Sequence, residues 1–323
     1  MSKETYLMRA ITIEPQGVVA IREHRDPEAG VGEVLVRIRA AGVNMADLGQ
    51  RAGVYPAPFG SPPDIPGLEF AGEVVSVGSF ARRFSVGDRV MGVVGGGAQA
   101  DLLAVHERQL MLVPDALSWE QAGGFPEAFV TAHDALFTQG ALRPGERVLI
   151  TGAAGGVGSA GVQIAAAAGA EVIASVRNPD NREAVRRLGA IKAIDPAVTE
   201  ANGPYDVVLE LVGASNFESN LRSLNQGGRI VFIGASSSSG TEAKLDFMLL
   251  AGKRATVRGS TLRSRPLEEK ALATRGVERE VIPLVACRKI TVSIAATYPL
   301  TEAAIAYDAF GKPGKLGKII LLP

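Results

Sequence analysis

The segment ITGAAGGVGSAG, residues 150–161, constrains the fold of this chain more than any other stretch. A strand-like apolar run, RVLI, precedes it, and an alanine-rich helical run follows it. Its glycines allow a tight turn with positive φ, and their missing Cβ atoms let a ligand approach the backbone. The unpaired N–H groups at a helix start suit a pyrophosphate. This order predicts a dinucleotide-binding βαβ unit. The alternative is a glycine-rich packing turn.

The end of the next strand, EVIASVRN, indicates which dinucleotide is bound. An NAD site usually has an Asp or Glu there that binds the ribose 2′-hydroxyl. This chain has Ser175, Val176, Arg177 and Asn178 instead. A guanidinium at Arg177 suits a 2′-phosphate, and Arg182 adds a second charge. The pattern favours NADPH over NADH. The alternative is that both arginines are solvated surface residues.

The order of elements along the 323 residues predicts two domains, because a chain of this length exceeds what one core usually serves. The first 110 residues or so resemble short strands joined by Gly, Pro and Asp turns. From Arg147, apolar strands alternate with amphipathic helices, which is typical of a doubly wound parallel sheet. Strand-rich sequence returns after Pro266. We therefore expect an α/β chain with a β-rich domain at 1–124 and 265–323 and an inserted nucleotide-binding domain at 125–264.

Composition excludes several classes of function. Lys plus Arg and Asp plus Glu both number 34, so the chain has no basic excess for nucleic acid or anionic membranes. No apolar stretch is long enough to span a membrane, and the N-terminus has no signal-peptide pattern. One cysteine, Cys287, and three histidines predict no protein zinc site and fit a reducing, cytoplasmic location. Cys287 is expected to be a buried apolar residue.

Several motifs carry a family resemblance that covers nearly the whole chain. They are AGVNMADLGQRAGVY, GLEFAGEVVSVG, GDRVMGVVGGGAQA, FPEAFVTAHDAL, ITGAAGGVG and GKLGKIIL. They resemble the zinc-free quinone oxidoreductase branch of the medium-chain dehydrogenase/reductase superfamily. The LRSR and GGGAQA segments are similar to the subgroup of the tumour-suppressor-inducible quinone oxidoreductase. The resemblance implies a GroES-like catalytic domain with an inserted Rossmann domain, and no catalytic metal, because Asn44 stands where zinc-dependent relatives carry a cysteine.

The resemblance also implies site residues. The implied reaction site contains Asn44, Asp47 and Tyr55, with an amide and a hydroxyl able to stabilise an oxyanion. The alternatives are that Asn44 holds a turn, Asp47 caps a helix and Tyr55 anchors a loop. The implied or predicted cofactor contacts are Thr131, Gly152, Ala154, Gly155, Gly156, Val157, Ser175, Arg177, Asn178, Arg182, Phe232, Ile233, Gly234, Leu262, Arg263 and Lys318.

Three functions remain open from the sequence. Without a Lewis acid, hydride addition to an electron-poor conjugated acceptor needs the least help from the protein. The leading hypothesis is therefore NADPH-dependent reduction of quinones. The first alternative is reduction of an activated C=C bond in an alkenal, enone or enoyl thioester, and the second is an NADPH-binding structural or RNA-binding protein with little turnover. Family analogy implies a homodimer, with the RIVFIG strands pairing at the sheet edges.

Overall fold

The computed structural model describes residues 6–234 and 240–323. These residues form two compact units. The first unit comprises 6–127, 263–313 and 318–323, and the second comprises 128–234, 240–262 and 314–317. The predicted joints, after residues 124 and 264, lie close to these divisions. The segment ASSSSG, residues 235–240, is predicted from its composition to be a loop, and most of it lies outside the described residues.

Strands and helices occur throughout the described part of the chain. The strands are β1 (Leu7–Glu14), β2 (Val18–Arg25), β3 (Glu33–Gly42), β4 (Glu69–Val77), β5 (Arg89–Val93), β6 (Leu102–His106), β7 (Leu110–Leu112), β8 (Arg147–Ile150), β9 (Glu171–Ser175), β10 (Lys192–Ile194), β11 (Tyr205–Glu210), β12 (Leu224–Phe232), β13 (Thr256–Gly259), β14 (Ile294–Pro299) and β15 (Lys318–Leu322). The helices are α1 (Met45–Arg51), α2 (Trp119–Gly123), α3 (Pro126–His133), α4 (Gly156–Ala167), α5 (Arg182–Arg187), α6 (Phe217–Arg222), α7 (Phe247–Lys253), α8 (Leu267–Glu280), α9 (Ile282–Ala286) and α10 (Ala303–Gly311).

Strand β3 organises the first unit. It pairs antiparallel with β4 along one edge, and with both β6 and β15 along the other. Its side chains alternate, so that Val34, Val36 and Ile38 are buried while Arg37 and Arg39 face outward. Because β15 is the last strand, the C-terminus returns to this unit, as the sequence predicts.

The second unit is built on a parallel sheet. Among the described residues its strand order is β10-β9-β8-β11-β12-β13. The chain starts in the middle at β8, moves outward to β10, and then returns to continue on the other side from β11. The carboxyl ends of β8 and β11 therefore border the crevice where the strand order reverses, which is the ligand site of doubly wound sheets. This order confirms the predicted fold class.

Of three local predictions, one is confirmed by the structure and two are wrong. Ser118 followed three residues later by Gln121 predicts a capping box, and it is present, since each side chain bonds the other residue's backbone N–H at the start of α2. The prediction that Cys287 is buried is wrong, because the short α9 ends at Ala286 and leaves Cys287 exposed beyond it. The prediction that RIVFIG forms a sheet edge is also wrong. It lies in β12, which is flanked by β11 and β13.

Candidate functional site

The glycine turn of the second unit joins β8 to α4 at the crevice. Gly152 adopts a φ of +59°, which side chains rarely tolerate. A Cβ on Gly158 would lie 2.4 Å from the Gly152 carbonyl oxygen, so this first turn of α4 can approach the loop only as glycine. A Cβ on Gly161 would lie 3.2 Å from Leu209 Cδ2, and this glycine lets α4 pack closely on the sheet.

The start of α4 presents backbone donors beside this turn. The N–H groups of Gly156, Val157 and Gly158 belong to the first helical turn and have no partner inside the helix. Gly155, with extended backbone, is the residue before the helix and offers no side chain. The 12-residue helix adds a partial positive charge at this end. A cradle that a Cβ would fill, open N–H groups and a helix N-terminus together fit a pyrophosphate.

A C-terminal segment that sequence reasoning did not assign closes one side of the turn. The N–H of Gly317 donates to the Ala154 carbonyl at 2.9 Å, and Gly155 and Gly317 form a parallel bridge. Asn181 Nδ2 donates to the carbonyl of Gly314 at 3.0 Å. Residues 314–317 therefore link the glycine turn to the loop after β9. The sequence feature that could have indicated this segment is its two glycines, Gly314 and Gly317, which both adopt positive φ.

The two arginines after β9 have different environments. Ser175 is buried, and Arg177 is exposed and forms no hydrogen bond or ion pair among the described residues. Arg182, by contrast, bonds Asp195 at 2.6 Å and the Val176 carbonyl at 3.1 Å. The guanidinium of Arg182 is thus paired within the unit, and its contribution to a phosphate site stays a prediction.

Asn178 and Thr131 were also predicted to contact the cofactor. Asn178 Oδ1 accepts a hydrogen bond from the Asp180 N–H at 3.1 Å, so its carbonyl serves the local turn. Thr131 lies in α3, and its buried Oγ1 has no hydrogen-bond partner within the described residues. A buried hydroxyl without a partner is costly, which makes Thr131 a strong candidate for a ligand contact.

The ends of β11 and β12 meet at the same edge of the sheet. Phe232 is in register with Glu210 on one side and Gly259 on the other, and Ile233 donates its N–H to the Glu210 carbonyl. Gly234 is the last described residue of this stretch, and Leu262 is buried in the same unit. These predicted contacts therefore share the edge that carries the glycine turn.

Glu210 is a residue of this edge that sequence reasoning missed. Its carboxylate is buried and accepts hydrogen bonds from Thr151, Asn220 and the backbone N–H groups of Val212 and Gly213. These bonds fix the loops after β8 and β11 together. The sequence feature that could have indicated this residue is an acid at the end of the apolar run YDVVLE.

The first unit contains a buried ion pair. Lys318 Nζ lies 2.5 Å from Glu69 Oε1, 2.6 Å from Asn44 Oδ1 and 3.1 Å from the Val43 carbonyl. Its three N–H donors are therefore all used. The cofactor contact of Lys318 stays a prediction, and in this structure its ammonium is held inside the unit.

Asn44 belongs to the same network. Its Nδ2 donates to Glu69 at 3.0 Å and lies 3.5 Å from the Gly42 carbonyl, and its Oδ1 accepts from Lys318. Both polar atoms of the Asn44 amide therefore form hydrogen bonds inside the unit. These bonds fit the alternative that Asn44 holds a turn, and its role as a donor to an oxyanion stays a prediction.

Asp47 supports the loop that carries Asn44. Its carboxylate accepts from the N–H groups of Asn44 at 2.8 Å and Gly67 at 3.0 Å, and from Gln99 Nε2 at 3.3 Å. Burial raises the pKa of Asp47 to about 6, against the lowering effect of these bonds and of Arg263 and Lys318. The alternative that Asp47 is a cap therefore fits better than a catalytic role.

Arg263 and Tyr55 pack together in the first unit. The Arg263 guanidinium bonds Gln50, the Gly95 carbonyl and the Tyr55 carbonyl, and it lies 5.2 Å from the Tyr55 ring centroid. The cofactor contact of Arg263 stays a prediction, and in this structure the side chain is buried with its donors bonded to these three residues. Tyr55 is 38% exposed and remains the predicted site residue that faces outward.

Glu127 completes this group and was not singled out from the sequence. It lies in the first turn of α3, and its N–H donates to Glu69 Oε2 at 2.9 Å. Burial and, to a smaller extent, the nearby Glu69 carboxylate raise the pKa of Glu127 to about 8. The sequence feature that could have indicated this residue is an acid inside the otherwise apolar FPEAFV segment. Asn44, Asp47, Glu69, Glu127 and Lys318 are called the polar cluster below.

Two family models match the chain. Residues 30–137 match the model described as alcohol dehydrogenase GroES-like domain, and residues 156–276 match the one described as zinc-binding dehydrogenase. A zinc ion does not fit the polar cluster, because the Lys318 ammonium already occupies the space against Glu69 and Asn44. Within 6–234 and 240–323, no three His, Cys, Asp or Glu side chains are grouped to hold a metal.

The relatives agree with the domain matches. The chain is 33% identical over 317 residues to a quinone oxidoreductase of Pseudomonas aeruginosa, which covers 95% of this chain and 96% of that protein. It is 40% identical over 208 residues to polyketide synthase GfsB of Streptomyces halstedii, which covers 63% of this chain and only 4% of that synthase. The solved structure of an alcohol dehydrogenase superfamily protein from Novosphingobium aromaticivorans matches with a TM-score of 0.87 and 32% identity, over 98% and 100% of the two chains. The chain therefore belongs to the medium-chain dehydrogenase/reductase superfamily, and within it to the family that contains the quinone oxidoreductases.

Proposed function

We propose that this chain is an NADPH-dependent reductase that transfers a hydride to quinones without a metal ion. The observation that carries the proposal is the glycine turn at the crevice between β8 and β11, followed at the end of β9 by an exposed Arg177 in place of an acid. Full-length similarity to quinone oxidoreductases supports the choice of acceptor. Family membership by itself implies a nicotinamide cofactor but does not choose between NADH and NADPH.

In this proposal the second unit holds the cofactor. The N–H groups of Gly156, Val157 and Gly158 bind the pyrophosphate, Arg177 pairs with the 2′-phosphate, and the Thr131 hydroxyl bonds the nicotinamide ribose. When bound, the reduced cofactor supplies a hydride from its nicotinamide ring. The chain contributes orientation and the exclusion of water.

The properties of the first unit favour a conjugated acceptor. A quinone or an enone spreads the arriving negative charge onto its own oxygen, so it needs no Lewis acid. Tyr55 is the outward-facing residue of the predicted reaction site, and its hydroxyl is our proposed donor to that oxygen. Asn44 then contributes only by holding the loop, because its amide is bonded to Glu69 and Lys318.

An alternative acceptor is an activated C=C bond in an alkenal, an enone or an enoyl thioester. Similarity to part of a polyketide synthase supports this candidate. Both reactions begin with hydride addition to a conjugated system, and a shared fold does not choose between them.

The test is a comparison of acceptors. NADPH oxidation is measured with 1,4-benzoquinone, 9,10-phenanthrenequinone, trans-2-alkenals and crotonyl thioesters. We expect the highest kcat/KM with a quinone. A preference of orders of magnitude for an enone or a thioester would support the alternative. Binding of NADPH without turnover of any acceptor would support a structural protein, and salt-dependent RNA binding would support the RNA-binding hypothesis.

We propose that two copies of the chain form a homodimer through a strand other than the predicted RIVFIG strand. Among the described residues β13 forms the edge of the parallel sheet, and all four of its residues are exposed. An unpaired edge strand is a ready template for a second copy.

The described residues contain no helix that could span a membrane. The cytoplasmic location stays a prediction.

A further inference from the structure

Asn181 makes a contact that its place in the chain does not explain. It stands directly before α5, where an asparagine side chain usually caps the helix, but it forms no capping bond here. Its Nδ2 donates instead to the Gly314 carbonyl at 3.0 Å and lies 3.5 Å from the Lys315 carbonyl. The side chain therefore holds a segment that is 133 positions away in sequence against the loop after β9.

The other end of the 314–317 segment is bonded to the glycine turn. The N–H of Gly317 donates to the Ala154 carbonyl at 2.9 Å, and Gly317 forms a parallel bridge with Gly155. Leu316, which lies between the bonded ends, packs against the apolar core of the second unit. One short segment therefore connects the loop after β9 to the turn before α4.

A further backbone bond closes a ring of segments. The Ala153 N–H, in the glycine turn, donates at 3.2 Å to the carbonyl of Ser175, the last residue of β9. The loop from Ser175 to Asn181, the 314–317 segment and the glycine turn are thus bonded to one another in a closed ring. Arg177 lies in the loop part of this ring, and α4 begins next to the turn part. The ring therefore restricts the spacing between Arg177 and the start of α4.

We propose that Asn181 is a positioning residue for NADPH, an inference that rests on the cofactor binding proposed above. A dinucleotide on a doubly wound sheet places its pyrophosphate at the glycine turn and its adenosine ribose at the end of the second strand. NADPH carries phosphate at both of these places, whereas NADH carries it only at the turn. By bonding the 314–317 segment, Asn181 holds the loop of Arg177 at the spacing from the turn that suits both phosphate groups at once.

The physical effect is preorganisation. A loop that is already ordered loses less conformational entropy on binding, so more of the attraction between Arg177 and a 2′-phosphate appears as affinity. Asn181 acts through the loop, because its amide nitrogen is bonded to backbone carbonyls of the 314–317 segment. The effect concerns the 2′-phosphate, and we therefore expect it with NADPH and not with NADH.

The experiment is a double-mutant cycle, measured by calorimetry with NADPH and with NADH. We expect Asn181→Ala to weaken NADPH binding by about fivefold, which corresponds to one lost neutral hydrogen bond, and to leave NADH binding within about twofold of wild type. In the Arg177→Ala background the same substitution should have no further effect, because the phosphate contact that it supports is gone.

The matched control is Asn202→Ala. Asn202 also lies in the second unit, and its Nδ2 likewise donates to a backbone carbonyl, that of Val198, at 2.9 Å. The bond is local and lies outside the ring. We expect this variant to bind both nucleotides as wild type does.

The outcomes separate this inference from the proposed cofactor. If wild type prefers NADPH, and R177A loses the preference while N181A keeps it, the role of Asn181 is overturned and the cofactor assignment stands. Equal weakening of NADPH and NADH in N181A, or additive losses in the double variant, would indicate a general structural role and would also overturn it. If wild type does not prefer NADPH, the cofactor proposal itself fails, and this inference fails with it.

A measurement on the wild-type protein decides the question if N181A does not fold. Adenosine 2′,5′-bisphosphate and 5′-AMP share the adenosine and the 5′-phosphate, and only the bisphosphate carries a 2′-phosphate. With each at saturation, we expect the bisphosphate to slow hydrogen exchange of the Gly317 N–H more than 5′-AMP does, because binding at the loop should also order the segment that is bonded to it. Equal exchange rates with the two nucleotides would overturn the inference.

Discussion

Lys318 Nζ and Glu69 Oε1 lie 2.5 Å apart, and their side chains are 5% and 0% exposed. The two residues come from the last strand and from β4, and Asn44 bridges them by accepting from Lys318 and donating to Glu69. A buried charge without its partner is expensive, so each member of this pair requires the other. The arrangement explains why a lysine occurs at the start of a buried C-terminal strand.

Removal of one partner should therefore be costly. We expect Lys318→Met to lower the free energy of unfolding by about 3–5 kcal/mol, because it leaves the Glu69 carboxylate buried and unpaired. Chemical denaturation measures the loss. The control is Arg9→Met, which breaks an exposed pair with Asp101 and should cost less than about 1 kcal/mol. Similar losses in the two variants would contradict the role of burial.

The choice of dinucleotide depends on Arg177. We expect Arg177→Ala to weaken NADPH binding by about ten- to a hundredfold, since a hydrogen bond to a charged group contributes about 1.5–3 kcal/mol. NADH binding should hardly change, because NADH lacks the 2′-phosphate. Calorimetry with both nucleotides gives the ratio. Arg187→Ala, an exposed arginine of α5, is the control, and equal weakening of NADH and NADPH would refute the assignment.

The glycine turn predicts a strict requirement at one position. Gly158→Ala should cost about 1–3 kcal/mol in stability through overpacking against the Gly152 carbonyl, and NADPH binding should be lost with the turn geometry. Gly252→Ala is the matched control, because a Cβ there meets nothing within 4 Å. Alanine in that helix should stabilise by about 0.5–1 kcal/mol. Urea unfolding and calorimetry separate the two effects.

Stability should depend on pH through Glu127. The pKa of this residue is raised from 4.5 to about 8, so the folded protein holds a proton that the unfolded chain releases. Its contribution to stability is therefore complete below pH 4.5 and is lost as the pH rises to about 8. Unfolding experiments from about pH 6 to about pH 9 should show wild type losing stability relative to E127Q. Parallel curves would show that Glu127 titrates normally.

The edge strand β13 predicts the oligomeric state. We expect wild type to sediment as a dimer, and Val257→Lys, on the outside of β13, to shift it toward the monomer, because buried lysines at the interface repel each other. Val198→Lys changes an equally exposed valine away from this strand and should leave the dimer intact. A dimer that persists in V257K would place the interface elsewhere.

Much of the second unit could be predicted from local sequence. The spacing of the glycines between an apolar strand and an alanine-rich helix specifies the turn, because positive φ at Gly152 and close approach at Gly158 are backbone requirements. Alternation of apolar strands and amphipathic helices specifies a parallel sheet for the same local reason. The absence of an acid after Ser175 is equally a property of a few adjacent residues.

The polar cluster depends on tertiary structure alone. Lys318 and Asn44 are 274 positions apart. No periodic pattern in the sequence indicates that the ammonium of a lysine in one strand will contact the amide of a residue in a distant loop. The family resemblance implies that Lys318, Arg263 and Asn44 contact the cofactor or line the reaction site. In the fold Lys318 bonds Asn44, and Arg263 bonds Gln50 and two backbone carbonyls, because buried charged and polar groups need partners. The sequence by itself determined the βαβ unit and the glycine turn, because backbone geometry is local, and only the folded structure decided which polar side chains face a ligand and which face each other.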